Sequence, residues 1–148
     1  MIESQYLMFA YGMNTNQDEM AYRCPGAHSL GHARLIDHAF RFAVHADVVP
    51  CSGSYVDGVL WSITDQDLDH LDQLEGYPTY YDRSQVRVSQ GSRIVLAICY
   101  SMQPGQPDTP PSASYMNMVL EGYNQHRVPT EQLWNWVDLV AQNTTIKI

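Results

Sequence analysis

From residue 33 to residue 100 the apolar positions fall into short runs with strand-like spacing, interrupted by a single helical repeat. Phe40, Phe42 and Val44 alternate with other residues, as in a strand that buries one face. A shorter run at 33–35 precedes them. Residues 55–63, YVDGVLWSI, form a longer run in which Gly58 marks either a bulge or a close backbone approach. The polar stretch 47–54, with Pro50 and Gly53, reads as the loop in between. Runs at 85–88 and 94–100 flank the turn residues Ser89, Gln90, Gly91 and Ser92, which predicts an antiparallel hairpin. Residues 6–11, YLMFAY, are apolar on both faces and suit a central strand. Short strands joined by hairpins around isolated helices argue against a doubly wound parallel sheet. They predict an α+β fold with a mostly antiparallel sheet, open or curled into a barrel. Neither G-x-G-x-x-G nor G-x-x-x-x-G-K occurs, so nucleotide binding lacks its motif.

Helix signals lie outside and between these runs. Asn16 is placed as an N-cap, with Glu19 at capping-box spacing, for a helix that ends near Arg23, before Pro25 and Gly26. The preceding Gly12-Met13-Asn14-Thr15 is then a strand-to-helix turn, whose backbone N–H groups either hold an anion or serve the turn alone. The proline-rich stretch 104–111 reads as an ordered loop. Ser112 can cap a helix over 113–125 that carries Met116, Val119, Leu120 and Tyr123, with Tyr115 near its start. Thr130 opens a last helix bearing Leu133, Trp134, Val137 and Val140.

Composition narrows the function classes. A chain of 148 residues with no internal repeat predicts one domain over 1–148, large enough to bury about two thirds of the surface its unfolded form exposes. Its apolar runs are far shorter than the roughly 20 residues of a membrane span, and a soluble protein is expected. Residues 1–5 carry an acid and no base, unlike a signal peptide. Sixteen acidic against eight basic residues give a formal charge of −8, which repels a nucleic-acid backbone. Cys24, Cys51 and Cys99 are odd in number and widely spaced, so they predict reduced thiols and a cytoplasmic location rather than a disulfide framework. His28 and His32 would converge only on a helix, which Pro25, Gly26 and Gly31 oppose, and no metal site is expected.

The helical repeat itself, LDHLDQLEGYPTYYDR at 68–83, carries the most chemistry. Thr64 and Asp67 have the spacing of a reciprocal cap, and Gly76 and Pro78 stop the helix. At about 100° per residue from Leu68, Leu71 falls near −60° and Glu75 near −20°, so the glutamate shares the leucine stripe. Burial and the negative end of the helix dipole both disfavour a carboxylate there, and both raise its pKa. With Tyr77, Tyr80 and Tyr81 following, Glu75 reads either as a general base in an aromatic-lined pocket or as a partly exposed residue of a frayed last turn.

Four pieces, in this order, resemble the γ-glutamylcyclotransferase family: FAYGMN from Phe9, RCPGA from Arg23, the LDQLEGYPTYYDR block, and PSASY ending at Tyr115. The similarity runs from Tyr6 to about Pro129 and includes the G-V-L-W strand at Gly58. It implies a small, mostly antiparallel β-barrel with flanking α-helices, using neither metal nor cofactor. The implied reaction is the attack of a γ-glutamyl α-amine on its own γ-carbonyl, which yields 5-oxoproline and releases an amine or amino acid. Glu75 would be the general acid and base. Tyr11, Gly12, Met13 and Asn14 would form the loop that holds the glutamyl α-carboxylate, and Tyr81 and Tyr115 would line the pocket. The family's Y-G-S-N is Tyr11-Gly12-Met13-Asn14 here, so a serine hydroxyl is missing. A non-catalytic module that keeps fold and pocket is the alternative, with Met13 as its sign. A Cys51 or Cys99 nucleophile is a third. Segments 48–54 and 104–111 are expected to shape the leaving-group side.

Overall fold

Four antiparallel pairings and one parallel contact close five strands into a barrel. The structure is a computed structural model that describes residues 4–146. Residues 1–3, and with them most of the N-terminal segment compared with a signal peptide, lie outside the described residues. The strands are β1 (Gln5–Ala10), β2 (His28–Ala43), β3 (His45–Thr64), β4 (Tyr81–Gln90) and β5 (Arg93–Met102), in the barrel order β1-β3-β2-β4-β5. The helices are α1 (Gln17–Arg23), α2 (Asp65–Leu74), α3 (Ala113–Gln125) and α4 (Glu131–Ile146). The fold is α+β with a closed, mixed barrel, since β1 meets β5 in parallel at Met8 and Ile98.

Two sequence expectations need correction. The short runs at 33–35 and 40–43 belong to one strand, β2, bent by register shifts between Ser29 and His32 and between Ile36 and His38, and Val44 falls outside it. Residues 47–54 are not a loop but part of β3, paired through Asp47↔Arg41, Val48↔Phe40 and Val49↔Ala39. Pro50 is accommodated because its partner His38 adjoins the second irregularity, where Asp37 adopts φ 58. Burial of Ala46, Asp47 and Val48 against the barrel outweighs the turn signals. The reversal between β2 and β3 is the single residue Val44, at φ 66.

Other readings hold with shifted ends. The β4–β5 hairpin turns at Gly91 and Ser92, between paired Gln90 and Arg93. Gly58 is a close approach: an added Cβ would meet the Ala10 carbonyl oxygen and stand 2.6 Å from the Phe9 ring. In α4 the core tryptophan is Trp136, edge-on to Phe42 at 5.3 Å, while Trp134 is exposed. Relative to Leu133, Trp134 sits at about +100° and Trp136 at about −60°, which turns only the latter inward with Val137.

Candidate functional site

Each wall of the site is placed by a short-range device legible in the chain. β1 ends at Ala10, and Met13–Thr15 then close one tight 3-10 turn in which the Thr15 amide and hydroxyl both donate to the Gly12 carbonyl, at 3.0 and 2.7 Å. The Asn16 side chain accepts from Asp18 and Glu19 amides, each at 3.1 Å, and starts α1. Helix α3 braces this turn: Asn16 Nδ2 donates to the Met118 carbonyl at 3.0 Å, and the Tyr123 hydroxyl to the Tyr11 carbonyl at 2.6 Å. The Thr15 and Asn16 amides bond within the turn, whereas Gly12, Met13 and Asn14 line the cavity, where the Met13 backbone meets the Tyr115 hydroxyl.

At the opposite wall, α2 begins with the reciprocal Thr64–Asp67 cap and ends in a Schellman motif. The Gly76 amide bonds the Gln73 carbonyl at 3.2 Å and the Tyr77 amide bonds that of Asp72 at 2.9 Å, with Gly76 at φ 65. The Glu75 amide still bonds Leu71 at 2.8 Å, so the last turn is ordered rather than frayed. Glu75 is thus the C-cap, half-buried, with its carboxylate on a cavity of about 240 Å³. Asn14 Nδ2 donates to Glu75 Oε1 at 3.0 Å, and Arg23 Nη1 donates to Asn14 Oδ1 at 2.8 Å. Burial holds the Glu75 pKa above the ordinary carboxylate range, against the opposing pull of the Asn14 hydrogen bond and the Arg23 charge.

The ceiling of the cavity is one residue, Ala46, held through both of its flanking peptide groups. The Ala46 amide donates to the Tyr115 hydroxyl at 3.0 Å, and the Tyr81 hydroxyl donates to the Ala46 carbonyl at 2.9 Å. Burial pushes Tyr115 up to about 12 and also raises Tyr81, so both are neutral phenols able to donate or accept near neutral pH. Tyr11 donates to the Tyr100 carbonyl, and Tyr100 to Asp72 Oδ1 at 2.6 Å. Gly12 is required by space: a Cβ there would lie 2.9 Å from Ala46 Cβ and 3.0 Å from the Tyr115 hydroxyl.

Tyr11, Gly12, Met13, Asn14, Glu75, Tyr81 and Tyr115, selected from sequence, all line this one cavity. Arg23, His45, Tyr80 and Tyr100 line it as well. Arg23 and Tyr80 stood inside the family-like motifs. His45 and Tyr100 carry no local signal, because strand register alone delivers them. Tyr77 lies away from the wall and beneath the Arg83 guanidinium, 4.6 Å from its ring centre. Segments 48–54 and 104–111 also contribute nothing to the wall. Arg41 instead straps the proline-rich loop down, bonding Asp108 at 2.8 Å and buried Asp47 at 2.7 Å. Neither Cys51, which is exposed, nor Cys99, which is buried, reaches the cavity. Among the described residues no Ser, Thr or Cys lines it.

Known proteins share this fold. Residues 8–117 match the family model described as gamma-glutamyl cyclotransferase, AIG2-like. Human gamma-glutamylcyclotransferase is 26% identical over 153 residues, covering 87% of this chain and 76% of that protein. The bovine protein of the same name is 28% identical over 140 residues, covering 85% and 74%. A solved gamma-glutamyl cyclotransferase superposes with a TM-score of 0.78 at 25% identity, over 86% of this chain and 83% of that one.

Proposed function

Because the chain belongs to the gamma-glutamyl cyclotransferase, AIG2-like family, we propose that it cyclises a γ-glutamyl amine or γ-glutamyl amino acid to 5-oxoproline, with Glu75 as general acid and base. The observation that carries this reading is the Glu75 carboxylate, on the cavity wall beside a single amide donor and with its pKa raised by burial. A carboxylate shifted upward is a better match for an ammonium proton than an ordinary one.

The substrate supplies its own nucleophile, which suits a wall without Ser, Thr or Cys among the described residues. Glu75 takes a proton from the α-ammonium, and the freed amine attacks the γ-carbonyl to form the ring C–N bond. As the tetrahedral centre collapses, the bond to the leaving nitrogen breaks and Glu75 returns a proton to that nitrogen. Over the whole reaction two protons leave the α-nitrogen and two arrive on the released amine, so no co-reactant is needed. Amides of Gly12, Met13 and Asn14 hold the α-carboxylate, and the Tyr81 and Tyr115 phenols close the pocket over the glutamyl moiety. The serine hydroxyl lost at Met13 costs about 0.5–1.5 kcal/mol of glutamyl binding where that bond was made.

The test is a panel of γ-glutamyl amino acids, amines and lysine side-chain conjugates incubated with wild type and with Glu75→Gln, read as 5-oxoproline formed. Wild type turns over at least one compound and the folded variant none. A variant that keeps most of the activity removes Glu75 from its role. Melting shifts with 5-oxoproline, but no turnover of any compound, replace the enzyme with a binding module of the same fold.

A further inference from the structure

Asn14 stands between Arg23 and Glu75, and chemistry dictates which way its amide points. The Arg23 guanidinium can only donate, and its Nη1 lies 2.8 Å from Asn14 Oδ1. The amide oxygen must therefore face Arg23, which leaves the NH₂ group for Glu75 Oε1, 3.0 Å away. Turned over, the amide would set N–H against N–H at Arg23 and present its oxygen to the carboxyl. We infer that Arg23 is a positioning residue for the reaction proposed above: by fixing the Asn14 amide it keeps a donor, rather than an acceptor, on Glu75.

The consequence follows from what each face of the amide prefers. A donor favours the carboxylate, the form that can take a proton from the substrate; an acceptor favours the protonated acid. Arg23 is the last residue of α1, and its Nε sits 3.5 Å from Glu19 one turn back, which holds the guanidinium toward the cavity. The titratable groups that share the cavity with Glu75 are Arg23, Tyr11 after β1, His45 of β3, Tyr80 just before β4, Tyr81 at its start, Tyr100 of β5 and Tyr115 of α3. On α2 itself, Asp72 is tied to Arg83 and Tyr100. Against the burial that raises Glu75, the Asn14 bond and the Arg23 charge are the two opposing influences, and both pass through this pair of side chains.

A purely structural role is the competing explanation, since a cation in the last turn of a helix is favourable by itself. Three measurements separate them: the Glu75 carboxyl titration followed by carbon NMR in labelled protein and assigned against Glu75→Gln, the pH profile of kcat/KM, and the melting temperature. In Arg23→Met the titration and the acidic limb of the profile are expected to move together to higher pH. In Arg23→Lys, which keeps a donor and a charge, both stay near wild type. In an Asn14→Ala background, Arg23→Met is expected to move the titration much less, because the amide through which it acts is gone. An unmoved titration in Arg23→Met overturns the inference whatever the role of Glu75. An equal shift with and without Asn14 overturns it in favour of bare charge. A titration that moves while the rate profile does not overturns the acid–base role of Glu75, and with it the catalytic part of the inference. A lower melting temperature with both pH measurements unchanged leaves Arg23 purely structural.

Discussion

Gly122→Ala separates two opposed effects of known size. In the middle of α3, glycine is poor helix chemistry, and alanine there would ordinarily add about 0.8–1.0 kcal/mol of stability. In this fold, however, a Cβ on Gly122 would meet Thr15 Oγ1 and stand 2.6 Å from the Asn16 amide nitrogen and 2.8 Å from Asn16 Cα. Removing the Thr15 hydroxyl would not relieve this, because Asn16 contributes backbone. Overpacking a tight interface costs about 1–3 kcal/mol, and backbone that cannot rotate away puts this case in the upper part of the range. The expected net change is a loss of about 1–2 kcal/mol, or about 2–8 °C in Tm for a domain of this size. The helix must also back away from the Gly12–Asn16 turn, taking with it Tyr115 and the Met118 carbonyl that Asn16 bonds. A fall in kcat/KM for 5-oxoproline formation should therefore accompany the fall in Tm, measured on the same preparations. A variant that melts above wild type by the helix-propensity gain would refute the close seating of α3 on the turn.

The buried acid and the thiols give two further expectations. Glu75 has a folded pKa above its unfolded value, so its contribution to stability is fully present below the ordinary carboxylate range and declines as pH rises through the raised value. Urea midpoints of wild type relative to Glu75→Gln should accordingly fall from about pH 4 upward and then level off; a difference that grows with pH would contradict the burial assigned to the carboxyl. With a thiol reagent under native conditions, Cys51 should be labelled while Cys24, pushed up to about 12 by burial and then by Asp67, and Cys99, raised by burial, stay unreacted. Activity should survive Cys51 labelling, and inactivation that Cys51→Ala prevents would restore a cysteine nucleophile.

Local chemistry was the legible part of this protein. Asn16, the Thr64–Asp67 pair, Ser112 and Gly76 all cap or stop helices where their spacing places them, because a cap involves only residues within a turn of one another. Glu75 could be selected from 68–83 for the same reason: helix phase and a stop signal decide where its side chain leaves the helix. Turn chemistry misled at 47–54, where pairing with β2 and burial of Ala46 and Val48 override Pro50 and Gly53. Trp134, grouped with Leu133 and Val137 in the sequence, is exposed, and Trp136 joins them in the core instead, since two tryptophans two residues apart differ only in helix phase.

What the sequence by itself determined is the set of local devices: the strand that ends at Tyr11 and Gly12, the capped helices, the acid at the end of one of them, and the family motifs around each. What only the tertiary structure decided is which of these meet. Barrel closure brings the turn after β1 to the end of α2, so that Asn14 and Glu75, 61 residues apart, share a hydrogen bond. It also brings Ala46 between Tyr81 and Tyr115 and carries His45 and Tyr100 to the same wall. The physical reason is the reach of each interaction. Caps and turns act over a few residues and leave their mark in spacing, whereas strand register follows from the packing of the whole barrel and leaves no mark at the residues it aligns.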